Sequence, residues 1–86
     1  MNIILTIAIP INGGVYFKGN IMLMFPKSRV DQFQYRNKCL RYGQAFHNFM
    51  KLHKCNQDRN FCDRLWNERS EERAKAMIAS RTDPNN

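Results

Sequence analysis

Two histidines and two cysteines in the middle of the chain are the residues best suited to bind a metal ion. They are His47, His53, Cys55 and Cys62, with the spacing His-x5-His-x-Cys-x6-Cys. Structural zinc sites instead take pairs of ligands from short loops, about two to four residues apart. His53 continues an apolar stripe and Cys62 falls on the inner face of a predicted helix. The spacing therefore predicts no metal site.

Residues for catalysis do not form a recognisable pattern either. A Cys–His nucleophile needs both side chains to converge in a cleft beside an orienting group, and no motif marks one. The carboxylates of Glu68, Glu71 and Glu72 lie around a predicted helix start, where capping and the helix dipole explain them. Gly13 and Gly14 belong to a predicted turn and not to a phosphate-binding loop. We expect a protein that is not an enzyme and uses no cofactor.

The uneven distribution of charge is the strongest functional signal in the sequence. The 86 residues carry a net charge of +7, and residues 27–54 hold seven basic residues against one acidic residue, Asp31. Residues 57–86 balance six basic residues with six acidic ones. This asymmetry is typical of a surface for an anionic partner, although a solvated helix whose cations border a core stripe has the same pattern. The candidate binding residues are Arg29, Arg36, Lys38, Arg41, Lys51 and Lys54.

Apolar residues at helical spacing predict one long amphipathic helix over residues 28–54, with Ser28 as its N-cap. The stripe consists of Tyr35, Cys39, Tyr42, Phe46, Phe49, Met50 and His53. Gly43 lies at the edge of the stripe, where its missing side chain would let another element approach closely. Three further apolar residues lie off the stripe, namely Val30, Phe33 and Leu40. Either the first turns form a separate short helix, or a second apolar face contacts an N-terminal hairpin.

Two shorter helices are predicted after a turn at residues 55–57. Asp58 is placed to cap the second helix, which runs to about Asn67, and Ser70 is placed to cap the third. Glu71 and Lys75 form an i,i+4 pair of favourable orientation. Residues 82–86 are expected to be a disordered tail. The predicted fold class is therefore mainly α, a three-helix unit (long-short-short) over residues 27–81.

Residues 1–26 allow two interpretations. Two β-favouring runs, residues 3–11 and 15–25, flank Asn12-Gly13-Gly14, which predicts a β-hairpin before the helices. Alternatively, residues 18–21 back-translate to a purine-rich tract, like a bacterial ribosome-binding site, shortly before the ATG codon of Met22. Residues 1–21 would then be a non-functional leader, and the true start would be Met22 or Met24.

Cysteine usage and the lack of targeting signals predict a cytoplasmic protein. Three cysteines, without the density of a secreted disulfide scaffold, are typical of reduced thiols in a cytosol. No run reaches the roughly 18 apolar residues that a membrane span requires. Residues 3–11 have the length of a signal-peptide core, but no Lys or Arg precedes them and no small-residue cleavage site follows.

Two stretches share a pattern beyond simple helical periodicity: RYGQAFHNF (residues 41–49) and LWNERSEERAKAMI (residues 65–78). Together they resemble a motif in small, uncharacterised tailed-phage and prophage proteins. In that motif a Gly-Gln-Ala-aromatic-x-Asn helix precedes a Leu-aromatic-x-Glu-x-cap-x-x-basic-Ala-x-x-Met/Ile helix. The matching positions are Gly43, Gln44, Ala45, Phe46, Asn48, Leu65, Trp66, Glu68, Ser70, Arg73, Ala74, Met77 and Ile78. The resemblance implies a phage or prophage origin and supplies no activity.

This resemblance departs from the motif in two places and leaves two polar residues to explain. Ser70 stands where Asp is more usual, and the linker over residues 51–60 is longer than the motif implies. Gln44 and Asn48 lie off the main stripe, where satisfying a helix end is the expected role.

The leading expectation is an accessory protein of a phage or mobile element that binds a host or phage protein in the bacterial cytoplasm. The alternative is a nucleic-acid-binding protein that uses the basic long helix, with an affinity that falls steeply as salt rises. The sequence specifies neither the identity of the partner nor the oligomeric state.

Overall fold

The structure, a computed structural model, describes residues 15–18, 22–54 and 58–84. Its elements are, in chain order, β1 (Tyr16–Lys18), β2 (Met22–Pro26), α1 (Lys27–Gln32), α2 (Tyr42–Phe49), a 3-10 turn (Leu52–Lys54), α3 (Arg59–Asn67), α4 (Glu71–Ser80) and β3 (Thr82–Asp83). The fold is mainly helical with a β-hairpin before the helices, which confirms the predicted mainly α class.

A small three-stranded sheet joins the beginning and the end of the described chain. β1 and β2 are antiparallel, with Tyr16 opposite Met24, and β2 pairs in parallel with β3, with Phe25 opposite Thr82. Two neighbouring parallel strands require a long crossover connection. Helices α1 to α4 form this connection between β2 and β3. The turn predicted at residues 12–14 lies outside the described residues. The predicted second strand, residues 15–25, is itself divided into β1 and β2.

β3 begins where a disordered tail was predicted. The Phe25 N–H donates a hydrogen bond of 2.7 Å to the Arg81 carbonyl, which places the following residues beside β2. Asp83 is buried, and its carboxylate accepts a hydrogen bond from the hydroxyl of Tyr16 in β1. A buried carboxylate needs such a donor to offset the loss of its hydration. Residues 82–83 are therefore held by strand pairing and by a buried polar contact.

The predicted long helix over residues 28–54 is wrong. Residues 33–41, which we call the connecting segment, separate α1 from α2. The break brings the Phe33 ring to centroid distances of 5.4 Å from Tyr42, 5.2 Å from Phe46 and 5.3 Å from Phe49. On a continuous helix Phe33 would lie off the apolar stripe. Of the two alternatives for the first turns, the structure adopts the separate short helix, which is α1.

Local hydrogen bonds hold the connecting segment in its non-helical path. The Asn37 side-chain oxygen accepts from the Cys39 N–H at 3.0 Å, and the Leu40 N–H donates to the Asn37 carbonyl at 3.2 Å. The Tyr35 hydroxyl donates to the Leu40 carbonyl at 2.5 Å. Asparagine favours such side-chain-to-backbone turns over helix interiors. Cys39, predicted on the apolar stripe, is consequently exposed.

Both ends of the predicted long helix also differ from expectation. Pro26 takes the N-cap position of α1 with an extended backbone, so Ser28 lies inside the helix and caps nothing. At the other end, Lys51 adopts a left-handed backbone with φ of 56°. That reversal ends the helical path after α2 and directs Leu52 into the core, while His53 becomes exposed.

The second and third predicted helices form as expected. α3 follows Asp58 and ends at Asn67, and the Ser70 hydroxyl accepts from the Arg73 N–H at 3.2 Å at the start of α4. The Asp58 carboxylate does not cap α3 and instead pairs with Arg81 at 2.7 Å. Glu71 and Lys75 form the predicted ion pair at 3.1 Å.

The core lies between the sheet and α2, α3 and α4. Its fully buried side chains include Val15, Leu23, Phe25, Phe46, Met50, Leu52 and Leu65. Gly43 allows α2 to approach α3 closely, because a Cβ at this position would lie 2.3 Å from the Leu65 carbonyl oxygen. This contact confirms the predicted role of Gly43.

Replacement of Gly43 by alanine tests this approach. Alanine favours a helix by about 1 kcal/mol, yet the clash is with backbone that cannot rotate away, so we expect a net loss of roughly 1–3 kcal/mol in the free energy of unfolding. Urea denaturation measures the change. Ala76→Gly, at an exposed position of α4, is the control and should cost about 1 kcal/mol through helix propensity alone. An unchanged or higher midpoint for Gly43→Ala would contradict the close approach.

A chain that begins at Met22 tests the leader interpretation. It would lack Val15, which is fully buried, and the Tyr16 hydroxyl that binds Asp83. Losing the buried side chain and leaving Asp83 without this donor should lower the free energy of unfolding by at least about 2 kcal/mol. Tyr16→Phe in the full chain isolates the hydrogen bond. Equal urea midpoints for the chains starting at Met1 and Met22 would support the leader instead.

Candidate binding surface

The candidate basic residues lie mainly on the connecting segment and near the two ends of the predicted long helix. Arg36 and Lys38 are exposed on the connecting segment, and Lys51 and Lys54 are exposed after α2. Arg29 is half-buried on α1. Because the long helix is broken, these side chains come from several elements and not from the sides of one helix.

Two of these cations lie over aromatic rings. The Arg29 guanidinium is 4.3 Å from the centroid of the Phe49 ring and donates to the Gln32 side-chain oxygen at 3.0 Å. The Lys38 ammonium is 3.8 Å from the Tyr35 ring centroid. Cation–π contacts of this kind favour a defined position for side chains that otherwise sample many rotamers. The positive charges beside these rings are therefore partly ordered before any partner binds.

Arg41 has a different role from the one predicted. Its side chain is half-buried, and its Nη2 donates to the Trp66 carbonyl at 3.3 Å, at the carboxyl end of α3. Its buried Nε has no hydrogen-bond partner among the described residues. Arg41 thus connects the start of α2 with α3, and we exclude it from the binding surface.

The two halves of the chain also differ in how their charges are paired. In the carboxyl-terminal half, Arg59 lies 3.6 Å from Asp63, and Arg81 lies 2.7 Å from Asp58. In residues 27–54 the only acidic residue, Asp31, pairs with Lys27 at 2.8 Å. No other carboxylate of that segment can offset Arg36, Lys38, Lys51 and Lys54. We call these four residues the cationic surface.

A groove of about 420 Å³ lies between the connecting segment and α2. Half-buried Phe33, Leu40, Ala45 and Phe49 contribute its apolar part. Exposed Arg36 and Asn48 contribute polar groups. The sequence did not predict this groove, since it exists only because the helix is broken. The off-stripe positions of Phe33 and Leu40 were the available signal.

Most residues of the phage-like motif have structural roles. The Gln44 side-chain oxygen accepts from the Arg41 N–H at 3.1 Å, and the Glu68 carboxylate accepts from the Ser70 N–H at 3.0 Å. Both contacts satisfy backbone groups at helix ends, as predicted for Gln44. Phe46, Leu65 and Ile78 are buried, and Met77 packs against the core. Asn48 differs, because it is exposed beside the groove.

A second cleft, of about 260 Å³, lies between α2 and α3 beside His47 and Trp66. The His47 ring is buried and meets the Trp66 ring edge-on at 5.0 Å, and its Nδ1 has no partner among the described residues. Burial lowers the pKa of His47; His53 and Arg59 lower it further, while Asp63 opposes them. His47 is thus held in its neutral form near pH 7.

No arrangement of ligands for a metal ion occurs in the described parts of the chain. Cys55, one of the four residues considered for zinc, lies outside them. Among residues 15–18, 22–54 and 58–84, no group of three or more His, Cys, Asp or Glu side chains could hold a metal ion. In the same ranges, no helix combines the length and the apolar character needed to cross a bilayer.

The environment of His47 predicts a loss of stability in acid. Its pKa is lowered in the folded chain, so the unfolded chain takes up the proton first as the pH falls below about 6.5. The contribution of His47 is complete above that pH and is lost as the pH falls towards the folded pKa. Between pH 7.5 and pH 5, the melting temperature of His47→Phe should therefore decrease by less than that of the wild type. Arg69→Gln, at an exposed residue that does not shift the His47 pKa, is the control, and a wild-type pH profile for His47→Phe would contradict the prediction.

Comparisons with known proteins give no family for this chain. No protein-family model, curated protein or solved structure matches it. The resemblance of residues 41–49 and 65–78 to a phage motif stays a prediction. Function is therefore inferred from the geometry and charge of the described residues.

Proposed function

We propose that this protein is a small, non-catalytic accessory protein of a phage or mobile element that binds an acidic host or phage protein in the bacterial cytoplasm. The observation that carries the proposal is the cationic surface: four exposed cations in a segment whose single carboxylate already pairs with Lys27. Such an excess of one sign raises the association rate with an oppositely charged partner and disfavours basic ones.

The surroundings of these cations favour a protein over nucleic acid as the partner. Proteins that bind single strands use exposed aromatic faces on which bases stack. Here the Tyr35 ring has Lys38 over it and Tyr42 at its side, with ring centroids 5.1 Å apart. The Phe49 ring has Arg29 over it and Phe33 at 5.3 Å. Arg29 covers one face of the Phe49 ring and Lys38 covers one face of the Tyr35 ring, so these rings leave less area for bases to stack on than uncovered rings would.

Nucleic acid is the second candidate, and the same excess of positive charge favours it. Phosphate contacts need only exposed cations, which the cationic surface supplies without a recognition helix. The predicted binding element changes, however, because the basic long helix is replaced by the connecting segment and the turn after α2. Binding of this type would weaken steeply with salt, since counterions are released from the phosphates.

Affinity capture from bacterial lysate, with and without nuclease, tests the proposal. The test variant carries Arg36, Lys38, Lys51 and Lys54 replaced by Gln. The control carries four Gln replacements on α3, the following turn and α4, at Arg59, Arg64, Arg69 and Arg73, with the same change in charge. Wild type and control should retain a nuclease-resistant partner, and the test variant should lose it about tenfold or more.

Two outcomes would contradict the proposal. Retention of the partner by the test variant at the level of the control would mean that the cationic surface is not the binding site. Loss of all specific capture after nuclease treatment would favour nucleic acid instead. Circular dichroism of both variants confirms that the substituted chains are folded.

A further inference from the structure

The groove between the connecting segment and α2 combines an apolar floor with positive charge beside it. Phe33 and Phe49 form the centre of the floor, with ring centroids 5.3 Å apart. Both rings also pack on the buried ring of Phe46, at 5.2 Å and 6.4 Å. A floor supported from below by a core residue keeps its shape when water is displaced from it. Apolar floors of this kind bind the anchor residues of partner proteins.

Both walls of the groove are held in place by hydrogen bonds within the chain. On one side, the Tyr35 hydroxyl donates to the Leu40 carbonyl at 2.5 Å and fixes the connecting segment. On the other side, the Gln44 side chain accepts from the Arg41 N–H at 3.1 Å and fixes the first turn of α2. A groove that already has its bound shape loses little conformational freedom on binding, which favours affinity.

The charges around the groove have one sign. Arg36 contributes to the lining, Arg29 lies over Phe49 at the floor, and Lys38 lies on the connecting segment over Tyr35. Residues 32–54 contain no acidic residue at all. Exposed Asn48 adds an amide that can both donate and accept hydrogen bonds. The complementary ligand is therefore negatively charged and carries an apolar group.

We propose that this groove is the docking site for an acidic segment of the partner protein that carries one apolar anchor residue. The anchor lies on the Phe33–Phe49 floor, the flanking carboxylates face Arg36 and Lys38, and the Asn48 amide binds the backbone of the segment. This inference rests on the proposed function and adds the chemistry of the partner to it. A nucleic-acid duplex keeps its bases paired and stacked, so it would bind through its phosphates and would not need the floor.

Peptide binding to the full chain tests the inference directly. The probes are a glutamate-rich synthetic peptide with one central leucine, a glutamate-only peptide of equal length and a duplex oligonucleotide. The leucine peptide should bind about tenfold more tightly than the glutamate-only peptide, because burial of one leucine side chain favours the bound state. Its binding should shift the NMR signals of the Ala45 methyl group and the Asn48 side-chain amide.

Substitutions that fill the groove without changing its charge provide the decisive comparison. Ala45→Phe should remove the preference for the leucine peptide, and Asn48→Trp, at an exposed position, should do the same if Ala45→Phe impairs folding. Ala76→Phe, at an exposed position of α4, is the matched control and should retain the preference. Equal binding of the two peptides, or a preference unchanged by both groove variants, would overturn the docking site.

The outcome also separates this inference from the proposed function. Suppose that the two peptides bind equally well, and that replacing Arg36, Lys38, Lys51 and Lys54 by Gln abolishes the binding of both. The groove is then not the docking site, and the proposal of an acidic partner stands. If the variant with these four replacements still captures its partner from lysate, the proposed function itself fails. If only the duplex binds and the groove variants leave that binding unchanged, the docking site is wrong and nucleic acid is favoured.

Discussion

The packing of the Phe46 ring is the contact on which the rest of the structure depends. This fully buried side chain lies 5.1 Å from Phe25 of β2 and 5.2 Å from Phe33 of the connecting segment, both in edge-to-face geometry. Edge-to-face pairs add stability beyond the burial of their area. Because Phe46 belongs to α2, one ring brings together the sheet, the connecting segment and the central helix. The groove is the outer side of the same cluster.

The contacts of Arg81 join distant elements of the chain, and they add to the stability that a small core provides. Arg81 pairs with Asp58 at 2.7 Å, donates to the Leu23 carbonyl at 3.2 Å and lies 4.3 Å from the Phe61 ring centroid. The two charged side chains are largely buried, so removing one would leave the other without compensation. Small domains bury a limited fraction of their surface, and ties between distant elements compensate for that limit.

The sequence predicted the parts of the fold that local physics determines. Ser70 caps α4, Glu71 pairs with Lys75 and Gly43 lets another element approach closely, because each depends on the residue type at one position, although the sequence did not identify Leu65 as the neighbour of Gly43. The long helix failed because periodicity alone cannot distinguish one continuous helix from two pieces. Its breaks depend on the tertiary contacts of Phe33 and on the left-handed backbone at Lys51.

The same distinction holds for the candidate site. Counting charges identified the cations, but a count cannot tell which ones remain exposed. Arg41 donates to the carbonyl of Trp66, a residue far along the chain, so no local pattern could have removed it from the predicted surface. The groove was likewise hidden, since its two walls were predicted to be parts of one helix.

The break in the helix changes what the positive charge can do. A straight amphipathic helix with a buried stripe would offer cations on a convex surface, which attracts any polyanion and distinguishes poorly among them. The connecting segment instead forms a groove that Arg36 helps to line, with Lys38 on the same segment. In the proposed complex, long-range attraction would set the rate of encounter, whereas the fit of an apolar group to the floor would set how long the complex lasts. A groove this small would then support a transient complex, in which charge accelerates association and a single anchor residue determines specificity.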